Sequence, residues 1–313
     1  MNNNEILNRL ANLLNSESKA ITINRAIDNF IEYSKVKNRI DTTYYYQKSK
    51  KYMQPFFKAY DIKLTSDIDI PIMHKMVSYF SKTLSINSVN KRIEFIKMVI
   101  KYNYDIKEID ENPIRDFKKL PKQKVIIKTI DPETFNKVLN YVDSKPDSKL
   151  NLRNKVLIHI LAETGARMNE IIHMETKLLD LNNNRIKLEF TKCHIERYVY
   201  FSNDTKNLLI KYLEVFKPNK YLLEDALKKA PITKYSIQRT LETIKKDLNI
   251  TQSISPHKWR HTLATNLLKN NINLYNIQKI LGHSNITTTQ IYLHTLDDEI
   301  KNDVLCFLNN KKR

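Results

Sequence analysis

The stretch LGHSNITTTQIYLHT, residues 281–295, sets His283 and Tyr292 nine positions apart across a run of small hydroxyl residues. With 17 tyrosines in the chain, Tyr292 is either ordinary packing or a nucleophile placed where a histidine can help it. A phenol with a pKa near ~10 attacks only beside a base or in strongly cationic surroundings. Three other segments supply such groups. In ETGARMNEII, Arg167 follows a Thr-Gly turn at a helix start, and Glu170, three residues on, folds back beside it. Alone, that pair reads as a surface ion pair of little energetic weight. In SPHKWRHTLATNLL, Ser255 and Pro256 mark a helix start, and His257 and Arg260 are spaced to grip one anion together. His257 and His261 share a helix face as two zinc ligands would. The glutamate base of such a helix is missing, however, and Arg260 puts a fixed positive charge beside the pair, so His261 reads as packing or capping. In TKCHIER, Lys192 sits at the tip of a turn among several basic residues, where a lysine is normally just solvated.

Two arginines, two histidines, a lysine and a tyrosine, without a carboxylate cluster for metal, suit phosphoryl transfer. Negative charge spreads over non-bridging oxygens there, and guanidinium forks match that geometry. Histidine can accept the phenol's proton, and lysine or histidine can protonate the departing oxygen. Cations organised in advance around phosphorus stabilise the transition state without a metal or cofactor.

The elements that must position these groups are mostly helices. Apolar residues recur at helical spacing from residue 21 to 60, and again in SINSVNKRIEFIKMVIKYN. In that second tract Ile86, Val89, Ile93, Ile96 and Ile100 form one face, with Ser85 or Asn87 as N-cap. Lys91, Arg92 and Lys97 lie elsewhere on it, either as a solvated surface or as phosphate contacts. Two prolines and the lysines beginning Lys118, Lys119, Lys122 make 118–129 an extended basic linker. A new unit opens at Asp131-Pro132, an N-cap followed by proline at the first helical position. One β-hairpin interrupts the helices: Ile186, Leu188 and Phe190 alternate with polar residues, as do Val199 and Phe201. The expected fold is mainly α with a small antiparallel hairpin, in two lobes able to embrace duplex DNA.

Charge agrees with that partner. Lys+Arg outnumber Asp+Glu by 53 to 34, a formal +19 that favours a polyanion; the bland alternative is a lysine-rich proteome. With only Gly165 and Gly282, no glycine-rich phosphate loop exists, which excludes a nucleotide-driven motor. Cys193 and Cys306 form neither a disulfide framework nor a metal set. Neither a secretory signal nor a membrane-spanning apolar run is evident, so a cytoplasmic setting is expected.

In order and spacing, TGARMNEI, TKCHIER, HKWRHTLAT and LGHSNITTTQIY resemble the catalytic motifs of the tyrosine recombinase (phage integrase) family across the second lobe. The first lobe resembles the family's core-binding domain more loosely. The resemblance implies that Tyr292 attacks a DNA phosphodiester to form a 3′-phosphotyrosyl bond. Arg167 and Arg260 would hold the phosphate with His283 as a further donor, and Lys192 would protonate the 5′-oxygen. His257 would be the general base and Glu170 the support of the first arginine. Lys187 is the nearest alternative to Lys192. The implied organisation is an extension over 1–20, a core-binding domain over 21–117, the linker, and a catalytic domain over 130–313. Ile300, Val304, Phe307 and Leu308 would form an apolar helix face that docks on a neighbouring protomer, giving a dimer on each site and a tetramer in synapsis. A type IB topoisomerase shares most of this set but usually lacks a histidine at position 257. A non-catalytic DNA-binding protein of the same fold, or a lysine-biased helical scaffold, are the remaining alternatives.

Overall fold

Isoleucine and phenylalanine at helical spacing build the first of two compact units, which divide the chain at 124/125. The computed structural model describes residues 19–37, 40–121, 128–189, 196–225 and 228–293. Lys122, Phe190, Lys192, the two cysteines, His294 and the apolar stripe of residues 300–308 lie outside the described residues.

In the first unit, α1 (Ile23–Lys37) packs on α2 (Ile40–Ala59) and on α4 (Ile86–Asp105), and α4 also carries α3 (Ile70–Ser81). Val89, Ile93, Ile96 and Ile100 are wholly buried along α4, facing Ile27 and Phe30 of α1 and Met53 and Phe56 of α2. Ser85 caps α4 by accepting the Ser88 amide. Asn103, fully buried, donates to the carbonyls of Ala26 and Val99 and accepts from Asn29, so no amide group is left unpaired at the α1–α4 crossing.

The exit from this unit differs from a free basic tether. Asn90 grips Leu120 at both backbone groups, at 2.8 and 2.9 Å. Lys97 donates to the carbonyls of Arg115 and Phe117, at 2.8 and 2.5 Å, while Ile114 and Phe117 sink into the core. Residues 112–120 are therefore strapped to α4. At the other end of the expected linker, Ile130 is buried in the second unit and its amide donates to Thr262.

The second unit is built around α6 (Lys149–Thr164), buried on most sides by α5 (Pro132–Asp143), α8 (Asn203–Phe216) and α10 (Pro256–Lys269). Asp131 caps α5 through the Thr134 amide, with Pro132 at its first position. Trp259 of α10 is fully buried against Phe135 of α5, ring centroids 5.1 Å apart. The expected hairpin is present as β2 (Arg185–Leu188) and β3 (Arg197–Tyr200), paired Ile186 to Val199 and Leu188 to Arg197. A two-residue strand, β1 (Leu179–Asp180), extends it to an antiparallel order β1-β2-β3, too short to carry an alternation in sequence. The short α7 (Met168–Ile172), α9 (Lys234–Asp247), α11 (Leu274–Leu281) and α12 (Thr287–Gln290) complete the unit. The fold is mainly α with a small antiparallel sheet. No described helix is long and apolar enough to cross a membrane.

Candidate active site

The C-terminal end of α11 organises the cations. Its last carbonyls have no intrahelical partner and carry the negative end of the helix dipole, so they attract positive charge. Three successive carbonyls each receive a different arginine. Arg197 Nε donates to Ile280 O at 2.8 Å, Arg260 Nη2 to Leu281 O at 2.7 Å, and Arg167 Nη2 to Gly282 O at 2.7 Å. Arg260 also donates to Gly165 O at 2.6 Å, which ties it to the turn after α6. Gly282 terminates α11 at φ +65°, and a Cβ there would lie 2.7 Å from Arg197 Nη1. Only glycine lets the Arg197 guanidinium approach this closely.

Glu170 holds two of these arginines in place. Its carboxylate, 2% exposed, accepts both terminal nitrogens of Arg197 at 2.9 and 2.7 Å. It also accepts Arg167 Nη1 at 3.0 Å and the Arg167 amide at 2.7 Å. Burial pushes the Glu170 carboxyl up, but the bonds to Arg197 and the charges of both arginines outweigh it and hold the pKa below the usual value. Three guanidiniums against one carboxylate leave a net positive seat. Each guanidinium has five N–H donors, so hydrogens remain for an incoming oxygen.

Tyr292 enters this region 1% exposed, packed with Ala264, Leu268, Ile277 and Leu281. Burial raises its pKa, while the charges of Arg260 and Arg167 pull it down. Its hydroxyl shares a hydrogen bond of 2.8 Å with His261 Nδ1. His283 Nδ1 bonds Thr289 Oγ1 at 2.8 Å, which gives the TTTQ run a structural task. Burial, reinforced by the charge of Arg260, lowers both His261 and His283 to a pKa of about 4. Both are neutral at pH 7.

The sequence-predicted residues therefore divide. Arg167, Glu170, Arg260, His283 and Tyr292 converge around the end of α11. His257 stands exposed at the first turn of α10, one turn before His261. Lys192 lies outside the described residues. Lys187, the alternative, is engaged by Glu189 at 3.0 Å and Glu196 at 2.9 Å, which raise its pKa. In the first unit, Lys91 and Lys118 are exposed, Arg92 lies over the Tyr52 ring at 4.7 Å, and Lys119 pairs with Glu94. Lys97 donates to the carbonyls of Arg115 and Phe117, which ties its ammonium to the strap.

Two residues escaped sequence reasoning. Arg197 stands two places from buried Val199, on the inward side of β3. A cation in phase with the apolar alternation calls for a buried counter-charge, and that signal was present in HIERYVYF. His261 carried no comparable signal, because its partner lies 31 residues away.

Comparison with known proteins agrees with this geometry. Residues 128–299 match the model of the phage integrase family. Tyrosine recombinase XerA of Saccharolobus solfataricus is 37% identical over 180 residues, 57% of this chain and 56% of that protein. Tyrosine recombinase XerC of Staphylococcus saprophyticus is 29% identical over 228 residues, 71% of this chain and 75% of its own length. A crystal structure of the XerH site-specific recombinase, bound to a palindromic difH substrate in a post-cleavage complex, superposes with a TM-score of 0.71. That match has 19% identity and covers 89% of this chain and 94% of that one. The chain belongs to the phage integrase family, the class of the tyrosine recombinases.

Proposed function

We propose that this recombinase cuts and rejoins duplex DNA through Tyr292. The observation that carries the reading is the convergence of Arg167, Arg197 and Arg260 on the end of one helix, beside a phenol bonded to a neutral imidazole. Oη of Tyr292 attacks phosphorus and the P–O5′ bond breaks, leaving a 3′-phosphotyrosyl link and a 5′-hydroxyl. Arg167 and Arg260 stabilise the charge that gathers on the non-bridging oxygens, with His283 as a further donor. Lys192 protonates the departing oxygen, and His257 is the general base by the family's motif. Attack by a second 5′-hydroxyl reverses the step and joins new strands, so the bond energy is conserved.

The first unit is a core-binding domain over 21–117 that grips phosphates through Lys91 and Arg92, and Lys118, Lys119 and Lys122 of the linker add further phosphate contacts. The extension over 1–20, the basic linker over 118–129 and a catalytic domain over 130–313 complete the plan. The protein works in the cytoplasm as a dimer on each site and a tetramer in synapsis, linked through the stripe at Ile300, Val304, Phe307 and Leu308. Its biological task is integration and excision of a mobile element or resolution of replicon dimers. The experiment is a nicked suicide duplex carrying a site recovered by trapping covalent adducts from random-sequence DNA. Wild-type protein accumulates an adduct, and Tyr292→Phe binds the duplex equally well but forms none. An adduct in Tyr292→Phe, or its absence in wild type, would overturn the reading.

A further inference from the structure

The hydrogen bond between Tyr292 and His261 has no place in the catalytic set carried over from sequence. Their rings lie 5.6 Å apart, tilted by 56°, and the bond joins the hydroxyl to Nδ1 at 2.8 Å. His257, one turn earlier on α10, is exposed at the helix start. Because the phenol is 1% exposed, a proton leaving it needs an acceptor in the protein and not in bulk water. His261 is a neutral imidazole at pH 7, held so by burial and by the charges of Arg260 and Lys258. With its own proton on Nε2, it presents a lone pair at Nδ1, facing the hydroxyl.

We infer that His261 is a catalytic residue that takes the proton of Tyr292 as its oxygen attacks phosphorus, an inference that rests on Tyr292 being the nucleophile. In this step the Oη–H bond breaks and the proton moves to Nδ1, giving an imidazolium. The freed electron pair forms the Oη–P bond, the P–O5′ bond breaks, and O5′ takes its proton from the general acid of the proposed set, Lys192. Rejoining runs the same transfers backwards, with the imidazolium returning the proton to the departing phenol. His261 thereby replaces the exposed His257 in the base's role that the family's motif gives to His257.

The surroundings make this base conditional. The groups that face His261 are His257, Lys258 and Arg260 on its own helix, the Tyr292 hydroxyl, and His283 from the segment after α11. The cations among them disfavour an imidazolium while the seat is empty. A phosphate on Arg167 and Arg260 brings negative charge that offsets them, so the imidazole gains basicity when the scissile group arrives. An idle tyrosine thus keeps its proton.

The test uses full-length protein and the same nicked duplex, read as single-turnover adduct formation against pH. His261→Ala is expected to bind DNA within about twofold of wild type and to form adduct about 100-fold more slowly at pH 7, with added imidazole restoring much of the rate. His261→Asn keeps an acceptor near the Nδ1 position but cannot hold a proton. Its rate should climb steadily with pH and approach wild type near pH ~10, where the phenol ionises unaided. Wild-type rates in both variants would overturn the inference, and so would rates above wild type, which would mean that His261 restrains the tyrosine. A slow variant without rescue and with an unchanged pH profile would assign a structural role only. Rescue of His257→Ala but not of His261→Ala would move the proton to His257. Loss of adduct in wild type, or its persistence in Tyr292→Phe, would instead remove the nucleophile assignment beneath this proposal.

Discussion

Arg197 reaches the site from the inward side of a strand, and its guanidinium is matched at every nitrogen by the Glu170 carboxylate or the Ile280 carbonyl. Such a fork cannot be replaced by lysine, whose ammonium is a single point charge. Arg197→Ala leaves a buried carboxylate with Arg167 as its only side-chain cation among the described residues, which should cost about 3 kcal/mol of stability. Denaturant unfolding reads that loss, and an unchanged midpoint would show that Glu170 needs only Arg167. At this scale the sequence was informative where partners are near in the chain. The Arg167–Glu170 spacing forecast a contact that does form at 3.0 Å, although its burial was not foreseen. Arg197 meets the same carboxylate from 27 residues away, and His261 meets Tyr292 from 31; no periodicity encodes such distances. The pairing of Tyr292 with His261 forms where Tyr292, past the end of α12, packs on Ala264 and Leu268 of α10.

The helices were the most legible elements. Val89, Ile93, Ile96 and Ile100 are buried along α4 as their spacing implies, Ile86 of the same face is half-buried, and Ser85 and Asp131 cap their helices. The Ser255-Pro256 start is present too, but the serine side chain makes no capping bond. What periodicity missed is structure made by single side chains: the strap that Asn90 and Lys97 impose on residues 115–120, and a β1 of two residues. The element on which most depends is α11, because its final carbonyls anchor all three arginines. Gly282→Ala forces a Cβ toward the Arg197 guanidinium and a left-handed backbone on an L side chain, at about 2 kcal/mol. Thermal or denaturant melts should show that loss, together with weaker cleavage as the carbonyls shift; a variant equal to wild type on both would detach the glycine from the site.

For the whole molecule, a net charge of +19 makes association with DNA an ionic process in which counterions are released. If about six phosphates are contacted, affinity should fall by about 1,000-fold between 50 and 200 mM salt. Fluorescence anisotropy at graded salt measures the slope, and a flat response would return the charge to proteome bias. Composition forecast the partner class, and the motif order forecast the family. Neither could show that Arg167, Arg197 and Arg260 hang from adjacent carbonyls of one helix end. That shared attachment has a statistical consequence. Groups mounted on separate loops drift independently, and their misplacements accumulate. Here a shared anchor at residues 280–282, with Glu170 bridging Arg167 and Arg197, ties the spacing of the three guanidiniums to one rigid end of α11. A substrate that can shift with the group finds the same constellation at each instant, and the geometry that matters for phosphorus is the part best protected from noise.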